Sequence, residues 1–248
     1  MPKFDQHFLR DLAYAKKITD VVAPSPEETL LEVGPGRGAL TQFLLQKPVP
    51  YVGIEIDACV IETLQALPGA EKATFLRGDF LQAPLPEKPL FFVSNLPYSI
   101  TGPALFRILG HRFWIRAGVI MLQAEVAQRL YASAGKRPYG RLSVLFQSVY
   151  AVKRLFRVPP GAFSPPPKVW SEVVFFTRQP RIALEEWDSF AAFIRRAFQQ
   201  PRRTLAKNLG TGAVLLAEWW GHLRPHQLSL PEWISLWRNY GDRTPASE

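Results

Sequence analysis

Asn95-Leu96-Pro97-Tyr98 gathers two carbonyl acceptors and a flat ring at one point of the chain, beside a Pro that cannot donate. Such a set suits a planar ligand carrying an NH₂ group, and the exocyclic amine of a nucleobase meets that description. Glu32-Val33-Gly34-Pro35-Gly36-Arg37-Gly38 supplies a different chemistry, a turn tight enough for backbone to approach a ligand where side chains would collide. Dinucleotide sites place the third glycine three residues after the second and cradle a pyrophosphate on amide N–H groups. Here that gap is two and Pro35 removes one donor, so the loop suits a cofactor without phosphates. Glu55-Ile56-Asp57 lies about 20 residues on, where a carboxylate can accept both hydroxyls of an adenosine ribose. Gly78-Asp79-Phe80 adds an acceptor for an adenine amine and a ring to pack on its face. Together these residues describe an adenosyl nucleoside with a charged, non-phosphate tail. S-adenosylmethionine fits, because stacked rings and carbonyl oxygens tolerate its sulfonium cation.

Each group sits where an apolar run ends. Strand-like runs at Thr29–Val33, Tyr51–Ile56, Ala73–Leu76, Leu90–Ser94 and Gly118–Leu122 alternate with helical patterns at Leu12–Val22, Ala39–Gln46, Cys59–Leu67, Pro103–Leu109 and Glu125–Tyr131. That alternation predicts an α/β fold, a Rossmann-like, doubly wound parallel sheet whose strand ends carry the site. After a helix near Arg141–Val149, the runs Val152–Val158 and Val169–Thr177 predict an antiparallel pair completing the sheet. From Leu184 the pattern turns helical and rich in Trp, with breaks near Gly210-Thr211-Gly212 and Arg224-Pro225. We therefore expect a catalytic domain over residues 1–180 and a small helical, RNA-binding domain over residues 181–248.

Charge is distributed unevenly. Residues 1–100 hold 9 Lys/Arg against 12 Asp/Glu, residues 101–178 hold 12 against 2, and residues 179–248 hold 9 against 7. The middle third thus carries the excess behind the net charge of +9, a local field that favours a polyanion such as nucleic acid. A single cysteine, Cys59, excludes an internal disulfide and reads as a small packing residue, and four scattered histidines offer no ligand spacing, so no metal is expected. No apolar run approaches the length of a membrane span, and the first residues lack the apolar stretch of a signal peptide. A cytoplasmic protein without membrane partners is expected.

The chain resembles the ribosomal RNA adenine dimethyltransferase family over nearly its whole length. The resemblance begins at Asp5-Gln6-His7-Phe8-Leu9 and passes through the four strand-end motifs. It continues through Gln123–Leu130, Tyr139–Val144 and Val158-Pro159-Pro160-Gly161-Ala162-Phe163-Ser164-Pro165-Pro166-Pro167-Lys168-Val169. Ala197–Leu205 is similar to the family's basic C-terminal helix. By that resemblance His7, Leu9, Gly34, Glu55, Asp79 and Asn95 are the positions contacting S-adenosylmethionine, and Gly36 of the glycine turn and Phe80 at the third strand end complete the expected cofactor set. The Val-Pro-Pro-Gly-Ala-Phe form implies the branch that dimethylates N6 of two neighbouring adenosines near the 3′ end of small-subunit (16S) ribosomal RNA, with a role in small-subunit biogenesis. The implied partners are that RNA or the assembling 30S particle, met by a monomer. Four residues depart from the family pattern: Asp5 and His7 stand for Gly and Asn, Trp170 for an Asp after Pro-Lys-Val, and Pro201 interrupts the basic run.

In the chemistry expected, the Asn95 side-chain carbonyl and the Leu96 main-chain carbonyl accept the two N–H groups of the target amine. Tyr98 and Phe163 stack on the two faces of a flipped adenine. Expected phosphate contacts are Lys136-Arg137, Lys153-Arg154 and Arg202-Arg203, with Arg129, Arg141 and Lys168 in the resembling motifs. The alternatives are an RNA-binding ribosome-assembly factor that has lost catalysis, a dimethyltransferase for large-subunit RNA, and a DNA adenine methyltransferase. The intact Asn95–Tyr98 motif weighs against the first, and the Phe163 loop and basic C-terminal segment weigh against the last.

Overall fold

A computed structural model of the chain describes residues 7–210 and 220–240. In chain order its elements are β1 (Phe8–Leu9), α1 (Leu12–Asp20), β2 (Thr29–Val33), α2 (Thr41–Leu44), β3 (Tyr51–Glu55), α3 (Ala58–Gln65), β4 (Ala73–Arg77), β5 (Leu90–Asn95), α4 (Thr101–Gly110) and β6 (Ile115–Gln123). Then follow α5 (Ala124–Tyr131), α6 (Arg141–Val149), β7 (Tyr150–Val158), β8 (Phe163–Ser164), β9 (Ser171–Arg178), α7 (Trp187–Ala197), α8 (Leu205–Leu209) and α9 (Leu230–Tyr240).

Seven strands form one sheet in the order β4-β3-β2-β5-β6-β9-β7. Strands β2 to β6 are parallel and β9 runs antiparallel to β6. β2 and β3 are buried along their whole length, and β5 up to Ser94, as continuous apolar runs covered on both faces require. The chain proceeds from β2 outward through β3 and β4, then returns to the other side of β2 as β5 and β6. The loops after β2 and β5 therefore diverge, and the crevice between them is where such sheets bind ligands. Ser94 ties the two strand ends together, its Oγ donating to the Val33 carbonyl at 2.6 Å.

The N-terminal segment adds a feature the sequence did not suggest. β1 pairs antiparallel with β8, Phe8 opposite Ser164 and Leu9 opposite Phe163. The Arg10 amide donates to the Ala162 carbonyl at 2.9 Å, and a ring nitrogen of His7 lies 2.8 Å from the Pro165 carbonyl oxygen.

The chain forms two compact units, residues 1–127 with 152–178, and residues 128–151 with 179–248. This differs from the division expected at residue 180, because residues 128–151 associate with the later helices. Within that second unit α6 buries Val144, Leu145, Phe146 and Val149, and the Trp187 indole N–H donates to Ser148 Oγ at 3.0 Å. The Tyr139 hydroxyl donates to the Leu228 carbonyl at 2.8 Å. Phe190 meets Trp237 edge-on at 5.5 Å between ring centres, and Phe198 meets Trp233 at the same separation.

Three further expectations are corrected. The helix expected over residues 39–46 shortens to α2, which has no side-chain N-cap and ends ahead of Lys47-Pro48, where Pro disfavours helical backbone in the residue before it. The segment similar to a basic helix is a turn between α7 and α8: Pro201 has no N–H, and Asn208 instead bridges the turn by accepting from the Gln200 amide and donating to the Gln200 carbonyl, both at 3.0 Å. Cys59 is exposed rather than packed. The Thr211-Gly212 break and the Asp5 departure lie outside the described residues. No helix of the described residues is long and apolar enough to cross a membrane.

Candidate active site

The crevice at the strand ends is lined by His7, Leu9, Gly34, Gly36, Glu55 and Asp79, and also by Phe80, Asn95, Leu96 and Tyr98. Every residue expected to hold the cofactor is thus brought to one pocket. Its wall is set by the glycine turn. Gly36 has φ +54°, the left-handed conformation that favours glycine, and a Cβ there would press on the Phe8 ring at 3.1 Å. The Arg37 guanidinium lies 4.7 Å from the centre of the same ring. Phe8 was not singled out from sequence, since an apolar residue in a two-residue strand carries no signal of its own.

Glu55 is buried, and its carboxylate is oriented by three main-chain donors. Oε2 accepts from Gly36 at 3.0 Å, and Oε1 accepts from Ile56 at 2.9 Å and Asp57 at 3.2 Å. A carboxylate has about four lone-pair sites, so acceptor capacity remains for a ligand hydroxyl. Asp79 accepts the Leu81 amide on Oδ1 at 2.9 Å. The following loop is clamped by Arg107 of α4, which donates to the Leu81 carbonyl at 2.7 Å and to the Ala83 carbonyl, with its guanidinium 5.5 Å from the centre of the Phe80 ring. Phe80 itself is buried and meets Phe92 at 5.7 Å, so much of its ring packs inward and only part faces the pocket.

Asn95 Nδ2 donates to the His7 carbonyl at 3.3 Å, which fixes the amide plane and leaves Oδ1 as an acceptor. The Tyr98 hydroxyl lies 2.7 Å from Ser171 Oγ of β9, and its ring centre is 5.3 Å from that of His7. Burial raises the Tyr98 pKa, the Ser171 hydrogen bond opposing it, so the phenol stays neutral.

Phe163 requires correction. Its ring is 1% exposed, belongs to the hydrophobic core and does not line the crevice. Its main chain pairs with Leu9, so the motif expected to receive a base here holds the N-terminal strand over the glycine turn.

Beneath the turn lies a buried carboxyl for which the sequence suggested no role. Glu32 of β2 accepts from Thr41 Oγ1 at 2.8 Å and from the Tyr51 hydroxyl, closing the glycine loop from strand to helix. Burial pushes the Glu32 carboxyl up to about 7, the two hydrogen bonds only partly opposing it. Its neutral form therefore stabilises the fold fully below the ordinary value of 4.5, and that contribution is lost as pH rises through about 7. Glu32→Gln should abolish this dependence, which is on the order of 3 kcal/mol between pH 4.5 and 8. Urea unfolding at both pH values checks it; identical pH dependence in variant and wild type contradicts the assignment.

The nine cations expected to meet RNA are all exposed. Arg154 is also engaged within the protein: its Nε lies 3.2 Å from Glu172 Oε2, and Arg157, not anticipated, lies 3.0 Å from the same oxygen. Glu172 is completely buried, and the two guanidiniums give its Oε2 partners within the protein. Among the described residues no cluster of His, Cys, Asp and Glu could hold a metal ion.

A doubly wound sheet whose successive strand ends present a glycine turn without a phosphate cradle, two carboxylates and an Asn-Leu-Pro-Tyr corner defines a nucleoside-cofactor methyltransferase. The family model for ribosomal RNA adenine dimethylase matches residues 1–218, and the chain belongs to that family. It is accordingly an adenine methyltransferase whose methyl donor is S-adenosylmethionine. The ribosomal RNA small subunit methyltransferase A of a Burkholderia species is 43% identical over 84% of this chain and 78% of its own length. Its namesake from Pseudomonas putida is 36% identical over 98% of this chain and 96% of its own. A dimethyladenosine transferase from Plasmodium falciparum shares the fold, with a TM-score of 0.82 over 95% of this chain and 98% of its own at 22% identity.

Proposed function

We propose that the chain dimethylates N6 of two adjacent adenosines near the 3′ end of small-subunit (16S) ribosomal RNA. It acts in the cytoplasm, as a monomer, on the RNA or the assembling 30S particle, and its helical unit contributes to RNA binding. The observation that carries the reading is Asn95, whose amide is anchored so that an acceptor stands beside a half-buried Tyr98 ring in the nucleoside pocket. The names of the relatives support the small subunit as the source of the RNA.

Gly34 and Gly36 would admit the main chain close to the cofactor, Glu55 would receive a ribose hydroxyl at its remaining acceptor site, Asp79 would accept the adenine amine, and His7 and Leu9 would cover it. When bound, S-adenosylmethionine supplies an electrophilic methyl group. The target N6 is a poor nucleophile because its lone pair is delocalised into the ring. Oδ1 of Asn95 and the Leu96 carbonyl accept its N–H groups and favour the pyramidal nitrogen that forms during transfer. Tyr98 stacks on the flipped base, and Phe163 joins it only if its ring leaves the core. The methylated ammonium loses its proton to water, so no strong base is needed. One N–H survives the first transfer, and the same carbonyls accept it for the second.

The test is methyl transfer to small-subunit RNA and to immature particles, read by mass spectrometry of the two adenosines. Dimethyladenosine at both positions is expected, and absence of transfer to either substrate overturns the reading. In equilibrium RNA-binding titrations at several salt concentrations, Arg202→Gln with Arg203→Gln should reduce the salt slope by about 1.4–1.8, one step per lost phosphate contact, with cofactor binding intact. An unchanged slope returns those two charges to the solvated surface.

A further inference from the structure

The loop between β8 and β9 ends in Lys168, Val169 and Trp170, all exposed, Val169 at 45% and Trp170 at 50%. The loop's end is well held: the Trp170 carbonyl accepts from the Ala124 amide at 2.9 Å, and Ser171 opens β9 opposite Gln123 at the end of β6. Because β9 runs antiparallel to β6, its first residue lies at the sheet edge that carries Asn95. Ser171 is also the residue whose hydroxyl lies 2.7 Å from Tyr98. The Cα of Trp170 thus stands ~3.8 Å along the chain from that of Ser171, the residue that holds the stacking ring of the pocket.

The exposed Lys168 lies two residues before Trp170 in the same loop, and on the other side in sequence Arg154 and Arg157 meet the buried carboxylate of Glu172. A wide aromatic face beside exposed positive charge matches a base together with its phosphate. A protein partner would call for a broader apolar patch than this pair offers.

We propose that Trp170 is the stacking platform for the unpaired base next to the adenosine being methylated. This rests on the proposed RNA dimethylation, in which flipping one adenosine of the pair leaves its neighbour beside the pocket rim. With small-subunit RNA as substrate, Trp170→Ala should raise the RNA KM about 5- to 160-fold, the range for losing one base–aromatic stack, and leave cofactor affinity unchanged. Trp170→Phe should retain most of the wild-type KM. In an RNA whose neighbouring adenosine is replaced by an abasic nucleotide, wild type should fall to the level of Trp170→Ala, and the variant should lose nothing further. An active wild type with an unaltered Trp170→Ala overturns the stacking alone, as does a variant whose deficit is equally large on the abasic RNA. A wild type that methylates no adenosine overturns the enzymatic reading and this assignment together.

Discussion

Asn95→Ala is expected to slow single-turnover methylation of small-subunit RNA about 10²–10³-fold at saturating S-adenosylmethionine, with a smaller change in RNA affinity. The magnitude is that of removing one preorganised group aimed at charge that develops only in the transition state. Preorganisation here is visible as the hydrogen bond from Asn95 Nδ2 to the His7 carbonyl, which stops the amide from flipping its donor toward the substrate. The same bond makes the control necessary. A variant that loses cofactor affinity but recovers the wild-type rate at saturation would place the role of Asn95 in the N-terminal cover instead. Equal single-turnover rates throughout would remove it from the chemistry.

Glu55→Ala should weaken S-adenosylmethionine binding by roughly 1.5–3 kcal/mol, the scale for hydrogen bonds to a charged acceptor. Two effects add. The ribose loses its acceptor, and the amides of Gly36, Ile56 and Asp57 lose the carboxylate that orients them. Glu55→Gln separates these, because it keeps the shape and one acceptor while removing the charge, and an intermediate loss is expected. Calorimetry showing unchanged affinity in a folded Glu55→Ala would remove Glu55 from the cofactor site.

The middle of the sheet was legible because β2, β3 and β5 are buried on both faces, and a fully buried parallel strand leaves a continuous apolar run such as Leu90-Phe91-Phe92-Val93. The pocket was legible for a related reason: parallel strands all end at one edge, so motifs that close successive strands must converge. What escaped notice depends on long-range pairing or on burial. The pairing of Leu9 with Phe163 joins residues far apart in sequence through main-chain bonds that no side-chain pattern announces. An aromatic between prolines reads as a loop residue, yet tertiary packing turned the Phe163 ring into the core. Glu32 stood in the glycine motif itself, but its function depends on Tyr51 and Thr41, whose hydroxyls a sequence cannot aim. The turn at Pro201 shows the reverse case, where local chemistry prevailed over the resemblance.

The two-residue ladder between Phe8–Leu9 and Phe163–Ser164 means that any outward motion of Phe163 toward a base would be felt at the strand that covers the glycine turn. A motion that swings the Phe163 strand outward to meet a base strains the pairing that keeps Phe8 over Gly36. Reciprocity then requires each ligand to alter the affinity of the other by one common factor. Such a coupling would run through the few backbone hydrogen bonds that join the pocket-lining strand Phe8–Leu9 to Phe163–Ser164.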